Sequence, residues 1–409
     1  MNEIRWRMNH HKQPLPPAFP AVSQEETGKA LGFHQTIPGY SPTPLYSLTS
    51  LANFLGLQGI FVKDESMRFH LQSFKILGSS YAVAIHLAKE CSEEFADFAL
   101  LKKKVQALPV RTFATATDGN HGRGLAWTAK QFGQNCIVYM PKGSSRNRVA
   151  KIREWGAEAH VTNLDYDETV RFVSGLSREQ GWTLVQDTAW ANYTEIPARI
   201  MQGYLTILGE IMEQFKAVGN NTPTHVILQA GVGSFAGAIA GGLQQLMDMP
   251  LTIIVAEPAR ADCLFQSACS EDGTPKKASG DLSTIMAGLS CGEPNPLAWD
   301  ILKQTVDCFV SCPDHLAARG MRILGNPLET DPRILSGESG ALPLGLLFEV
   351  CRNPVLAGLK ESLGLDSASR VLFINTEGDT DPQNYRKICW DGMYATVMKH
   401  DGVNAQLLV

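Results

Sequence analysis

No two cysteines of this 409-residue chain stand at C-x-x-C spacing. The nine that occur, at 91, 136, 263, 269, 291, 308, 312, 351 and 389, are odd in number. A metal site has little support from that pattern, and a secreted disulfide framework has less. The thiols fit a cytoplasmic protein, with one bridge such as Cys263–Cys291 left open. An apolar leader is also missing. The start, MNEIRWRMNHHKQPLPPAFP, carries charge without a hydrophobic stretch and does not read as a signal peptide. Long apolar runs are scarce. From His225 to Met247 there is no Lys, Arg, Asp or Glu, but five glycines and three glutamines interrupt the run. It reads as a buried strand, a glycine loop and a buried helix, not a bilayer span. Neither sign of charge dominates. Thirty-six basic against 41 acidic residues leave a net charge of −5, which gives no reason to invoke a nucleic-acid or membrane partner.

What is present is a globular composition, 44% hydrophobic and 19% charged, in a chain long enough for two domains. Residues 1–35 are polar and proline-rich and read as a partly ordered arm. GYSPTPLYSLTSLANFLG (39–56) is a loop running into a helix that stops at a glycine. GIFVKDES (59–66) suits a buried strand, and SFKILGSSYAVAIHLAKE (73–90) a helix with Ser73 as N-cap and Lys75 in its first turn. From 110 to 190 strands (TFATATDG, NCIVYMP, AEAHVTN, WTLVQDT) alternate with helices that each close on a glycine. From 195 a long helix begins, followed by further strands THVILQAGVG, LTIIVAEP and RVLFINTEGD. The rhythm predicts an α/β protein with two doubly wound sheets. The large domain takes 36–88 and 193–409, and the small one, 89–192, is inserted between them.

Three segments could carry chemistry. A lysine in a helix's first turn is ordinarily solvated. Lys75, however, has apolar neighbours Phe74, Ile76 and Leu77 and small residues Gly78, Ser79 and Ser80 behind it. A desolvated lysine there could form a Schiff base. AGVGSFAG (230–237), between a strand and a helix, can turn backbone N–H groups toward a phosphate. Its spacing departs from the dinucleotide pattern G-x-G-x-x-G, although Glu257 at the end of the next strand keeps that reading open. TATDGNHGRG (115–124) puts Asp118, Asn120 and His121 at a strand's C-terminal end, where open α/β sheets bind ligands. Asp118 as a helix cap is the plainer alternative. VQDTAW and NTEGDTD place Asp187 and Thr376 with Glu377 at equivalent positions.

In this order the motifs resemble the tryptophan-synthase-like, fold type II enzymes that use pyridoxal phosphate. Within that group they resemble the diaminopropionate ammonia-lyases. The resemblance runs from FHQTIPGYSPTPL (33–45) through KDES, FKILG, ATDGNHGRG, YMPKGS, VQDTAW, LQAGVG, TIMAGLSCGEPNP and SGESGA to NTEGDTD (ending at 381). It implies pyridoxal phosphate in an interdomain cleft, bound to Lys75 as a Schiff base. It also implies a phosphate cradle at Gly231, Val232, Gly233, Ser234 and Phe235, Asn120 beside the ring's O3′, and a Thr376 hydroxyl at the pyridine nitrogen. Asp118 and Asp187 would be the acid–base pair acting on both D and L isomers of an amino-acid substrate. A homodimer is implied as well. Physical reasoning adds that a carboxylate at 118, where serine and threonine dehydratases carry a small or hydroxylated residue, suits a substrate with a second ammonium. A dehydratase of the same fold is the alternative. A non-catalytic binding module and a nucleotide-cofactor dehydrogenase are disfavoured.

Overall fold

The computed structural model describes residues 3–13, 18–91, 97–217, 219, 222–247 and 249–395. Residues 14–17 of the proline-rich arm lie outside them. In chain order the strands are β1 (Arg5–Met8), β2 (Leu45–Ser47), β3 (Gly59–Asp64), β4 (Thr112–Ala116), β5 (Asn135–Met140), β6 (Glu158–Val161), β7 (Thr183–Leu184), β8 (His225–Gln229), β9 (Thr252–Pro258), β10 (Cys308–Cys312) and β11 (Arg370–Asn375). They form a seven-stranded sheet of order β1-β10-β9-β8-β11-β3-β2 and a four-stranded sheet of order β6-β5-β4-β7. The small sheet is wholly parallel. In the large sheet only the edge strands β1 and β2 run antiparallel. β8 and β10 are buried at every position, as central parallel strands covered by helices on both faces must be.

The helix endings follow the glycines. Gly133, Gly156 and Gly181 stand just beyond three small-domain helices with φ of 67°, 84° and 68°, a conformation a side chain disfavours. Two details differ from the sequence reading. The helix Lys75–Glu90 is capped at Phe74 without a side-chain bond, and Ser73 Oγ instead accepts weakly from the Lys75 amide at 3.4 Å. The arm is more than an arm. β1 pairs with β10, Arg5 opposite Ser311, and the helix Gln24–Gln35 packs on the helix Glu195–Ala217. All nine cysteines are thiols, Cys263 and Cys291 included. Among the described residues no single helix is long and apolar enough to cross a membrane.

The helix Lys75–Glu90 joins the two sheets, packing on Glu195–Ala217 and on Asn120–Gln131. Two glycines permit that closeness. A Cβ at Gly78 would lie 2.6 Å from the Tyr204 ring, and one at Gly203 2.3 Å from the Leu77 carbonyl. The turn feeding this helix is strained, with Phe69, His70 and Gln72 at φ of 47°, 58° and 53°. It is anchored by a buried ionic cluster. Arg68 donates to Glu65 (2.8 and 2.9 Å) and to Glu210 (2.6 and 2.8 Å), and Lys63 donates to Glu210 at 2.6 Å. Two cations and two carboxylates, each almost wholly buried, balance one another.

Candidate active site

One cleft of about 720 Å³ opens where the C-terminal ends of both sheets face each other. All ten residues expected from the sequence line it, each delivered by a strand end or helix start. β4 leads to Asp118 and Asn120, and β7 to Asp187. β8 leads to the 231–235 loop and β11 to Thr376. Lys75 enters as the first residue of its helix.

Lys75 Nζ lies 2.5 Å from Asp187 Oδ2, the two side chains being 17% and 7% exposed. Burial works against both charges, but each ion outweighs it for the other. The Asp187 carboxyl is held low, at about 2, and the Lys75 amine above its ordinary range. The second carboxylate oxygen of Asp187 accepts from the Tyr166 hydroxyl and from Gln186 Nε2, both at 3.3 Å. Asp187 is thereby fixed in orientation as well as ionised.

Asp118 does not cap the helix after it. That helix, Asn120–Gln131, starts from Gly119 at φ 148° with no side-chain cap. The Asp118 carboxylate lines the cleft, with Arg148 Nη1 behind it at 3.5 Å. Asn120 is clamped on both sides. Its Nδ2 donates to Glu377 Oε2 at 2.6 Å, and its Oδ1 accepts from Arg123 Nη2 at 3.3 Å. One Nδ2 hydrogen remains for a ligand.

The glycine loop is shaped for close approach. Gly233, at φ 100°, precedes the helix Ser234–Leu246. A Cβ at Gly231 would stand 3.2 Å from Cys291 Sγ and from Leu289 Cα. The helix start presents amides that have no partner within the helix. Ser234 Oγ accepts from Asn295 Nδ2 (2.8 Å) and donates to the Asp187 carbonyl (2.5 Å), tying the loop to the segment that carries Asp187. Glu257, which kept a dinucleotide reading open, lies elsewhere. It is buried and accepts from the Leu264 and Phe265 amides at 2.8 and 2.6 Å. Its carboxyl is pushed well above the usual range by burial.

Thr376 Oγ1 accepts from Gln229 Nε2 at 2.7 Å, which leaves the hydroxyl proton free to donate into the cleft. Gln229 Oε1 and Ser339 Oγ are buried there without a partner among the described residues, as expected where a polar ligand belongs. An amine, a cradle of amides, a free hydroxyl and a free amide hydrogen fit an aldehyde-bearing phosphate of flat shape. Tyr166, Gln229, Cys291 and Ser339 were not among the expected residues. Cys291 and Ser339 sit inside TIMAGLSCGEPNP and SGESGA, so those motifs carried a usable signal. Gln229 sits inside LQAGVG and had the same signal, and for Tyr166 there was none.

Residues 36–376 match the family model described as pyridoxal-phosphate dependent enzyme, and the chain belongs to that family, with pyridoxal phosphate as its cofactor. It is 49% identical over 377 residues to the diaminopropionate ammonia-lyase of Escherichia coli strain K12, covering 92% of this chain and 94% of the relative. The holo crystal structure of the Escherichia coli enzyme matches with a TM-score of 0.91 at 47% identity, over 96% of this chain and 98% of that one. Its complex with an aminoacrylate-PLP azomethine reaction intermediate matches at 0.88 and 46% identity, over 97% and 99%.

Proposed function

We propose that this enzyme eliminates ammonia from 2,3-diaminopropionate, D and L isomers alike, yielding pyruvate and two molecules of ammonia with consumption of one water. The observation that carries this reading is the pair of carboxylates, Asp118 and Asp187, lining one cleft with Lys75. Similarity to the Escherichia coli lyase supports it.

Pyridoxal phosphate, when bound, supplies an electron sink for the carbanion formed beside the substrate's α-amine. Lys75 is the residue that would hold it. Asp187, at 2.5 Å, would hold the Lys75 side chain in position in the cleft. Gly231, Val232, Gly233, Ser234 and Phe235 would hold the phosphate through their backbone, Asn120 the ring's O3′, and Thr376 the ring nitrogen. Asp118 and Asp187 each serve as base for the α-proton of one isomer and as counter-charge for the β-ammonium. Lys75 returns a proton to the leaving amine.

Three further points belong to this proposal. The division into 36–88 with 193–409 and 89–192 accords with the small sheet's strands, all of which fall between 112 and 184. A cytoplasmic role in amino-acid catabolism accords with nine free thiols. A homodimer rests on the family resemblance. The test is pyruvate release from diaminopropionate, serine and threonine. Faster release from serine would favour the dehydratase alternative. D118N and D187N should each lose a different isomer, and equal loss on both would refute the two-base assignment.

A further inference from the structure

Beside the cleft, and sharing Asn120 with it, lies a second, smaller pocket of about 200 Å³. It is walled by Gly119, Asn120, Arg123, Arg148, Lys151 and Thr380. Three of these six carry positive charge and none is acidic. Arg123 is 5% exposed. Among the described residues its guanidinium makes one hydrogen bond, the 3.3 Å contact to Asn120 Oδ1, and no ion pair. Arg148, with a side chain 13% exposed, has among the described residues only the 3.5 Å contact to Asp118. Lys151 reaches Glu154 at 3.4 Å on the outer surface.

A guanidinium offers five donors, and one long bond leaves most of them unused. Buried cations are ordinarily paired, because an unpaired charge in such a place is strongly disfavoured. Burial pushes Arg123 below its ordinary range, to about 10; Glu377 opposes that push and neighbouring Arg148 adds to it. Arg148 and Lys151, three residues apart on the helix Arg146–Arg153, present one face to the same space. The start of the helix Asn120–Gln131 adds the positive end of its dipole.

We propose that this pocket binds a small oxyanion, such as inorganic phosphate or a carboxylate the size of pyruvate, between the guanidiniums of Arg123 and Arg148 and the ammonium of Lys151. Forked guanidinium donors suit two oxygens of such an anion, and the Lys151 charge a third. The site is separate from the phosphate cradle at 231–235. Occupying it ties two small-sheet helices to the loop carrying Thr380, where Asn147 Nδ2 already donates to the Thr380 carbonyl at 3.1 Å. It also holds Arg123 against Asn120 and Arg148 against Asp118, and so steadies two cleft residues from behind.

Calorimetric titration of cofactor-loaded enzyme with inorganic phosphate, and separately with pyruvate, at constant ionic strength tests this. One saturable site per chain is expected beyond the bound cofactor. R123Q and K151A should each weaken it about tenfold or more, as loss of a charge-assisted bond implies. K303A, on a distant helix, should leave it unchanged. K151A is a surface change, so the test stands even where R123Q does not fold. Saturation by phosphate alone assigns an inorganic ligand, and saturation by pyruvate alone a carboxylate. No saturable binding of either, or binding undiminished in K151A, overturns the proposal.

Discussion

Replacing Asp187 by Asn removes one charge from a pair nearly sealed from water. Lys75 Nζ and Asp187 Oδ2 are 2.5 Å apart. At an effective dielectric of about 20 the gross attraction is about 7 kcal/mol, most of which offsets the desolvation of the two ions. What the substitution exposes is a stranded ammonium, disfavoured by about 3–5 kcal/mol when a buried pair is broken on one side. Burial is the largest influence on Lys75 and favours the neutral amine, so proton release relieves part of this. We expect a loss of about 3 kcal/mol in cofactor-free protein at pH 7. For 409 residues the unfolding entropy is about 0.9 kcal/mol/K, so the melting midpoint falls only about 3–4 °C.

The pH dependence is more diagnostic. The folded value of Asp187 is depressed to about 2, so its contribution is complete above its unfolded value near about 4 and is lost as pH falls toward 2. The folded value of Lys75 is raised, so its contribution is complete below about 10.4 and lost only at higher pH. Between pH 5 and 9 the parent therefore gains and loses nothing from this pair. In the variant a neutral folded Lys75 faces a charged unfolded one, and stability rises with pH by up to about 1.4 kcal/mol per unit. Scanning calorimetry of both proteins at pH 5, 7 and 9 reads the difference. A deficit that does not shrink between pH 7 and 9, or no deficit at pH 7, refutes the reasoning.

Gly233→Ala forces a side chain into φ 100°, at about 1–2 kcal/mol, against Leu302, Leu264 and Ala298 atoms at 3.2–3.4 Å; cofactor titration should show about tenfold weaker binding. Thr376→Val keeps the shape but leaves Gln229 Nε2 with only the Ile374 carbonyl at 3.0 Å. The expected result is an altered visible spectrum of the bound cofactor and an affinity loss of about 1 kcal/mol, and an unchanged spectrum would exclude a bond from Thr376 to the ring. His34 is fully buried, and burial, with Arg68 adding to it, lowers its value to about 3. The unfolded chain takes up a proton there first, so stability falls by about 1.4 kcal/mol per unit as pH drops below about 6.5. His34→Gln should shrink the gap between melting midpoints at pH 7.5 and pH 5, and an unchanged gap would rule out this source.

What the sequence revealed, and what it hid, divides along physical lines. The strand–loop–helix at His225–Leu246 was legible because a charge-free run with glycines at its turn has few other solutions. The small-sheet helices were legible through their glycine stops. β1 was hidden, since RWRM is largely exposed and becomes a strand only by pairing with β10 some 300 residues away. The Lys63–Glu65–Arg68–Glu210 cluster was hidden for the opposite reason. Charged residues are expected at the surface, and nothing local to Glu210 shows that two cations close over it. In the site, Asp118, Asn120, Asp187, the 231–235 loop and Thr376 announced themselves by following a strand's C-terminal end, and Lys75 by the apolar and small residues around it. Tyr166 acts through other side chains, Asp187 and Gln186, and such contacts have no sequence period.

The neighbour relation between β3 and β11 also bears on how the protein comes into being. Arg370 pairs with Gly59, so the strand leading to the Lys75 helix has no partner on that side until 311 further residues have been made. At ribosomal rates of about 5–20 residues per second that wait is about 15–60 s. β3 is apolar and unpaired along that edge throughout, while the four-stranded sheet can already assemble from chain in hand. Thr376 follows β11 directly, so the part of the cleft wall it forms is among the last to arrive. A nascent chain short of residue 376 carries Lys75 but lacks Thr376 and Glu377, and with them one side of the cleft lining.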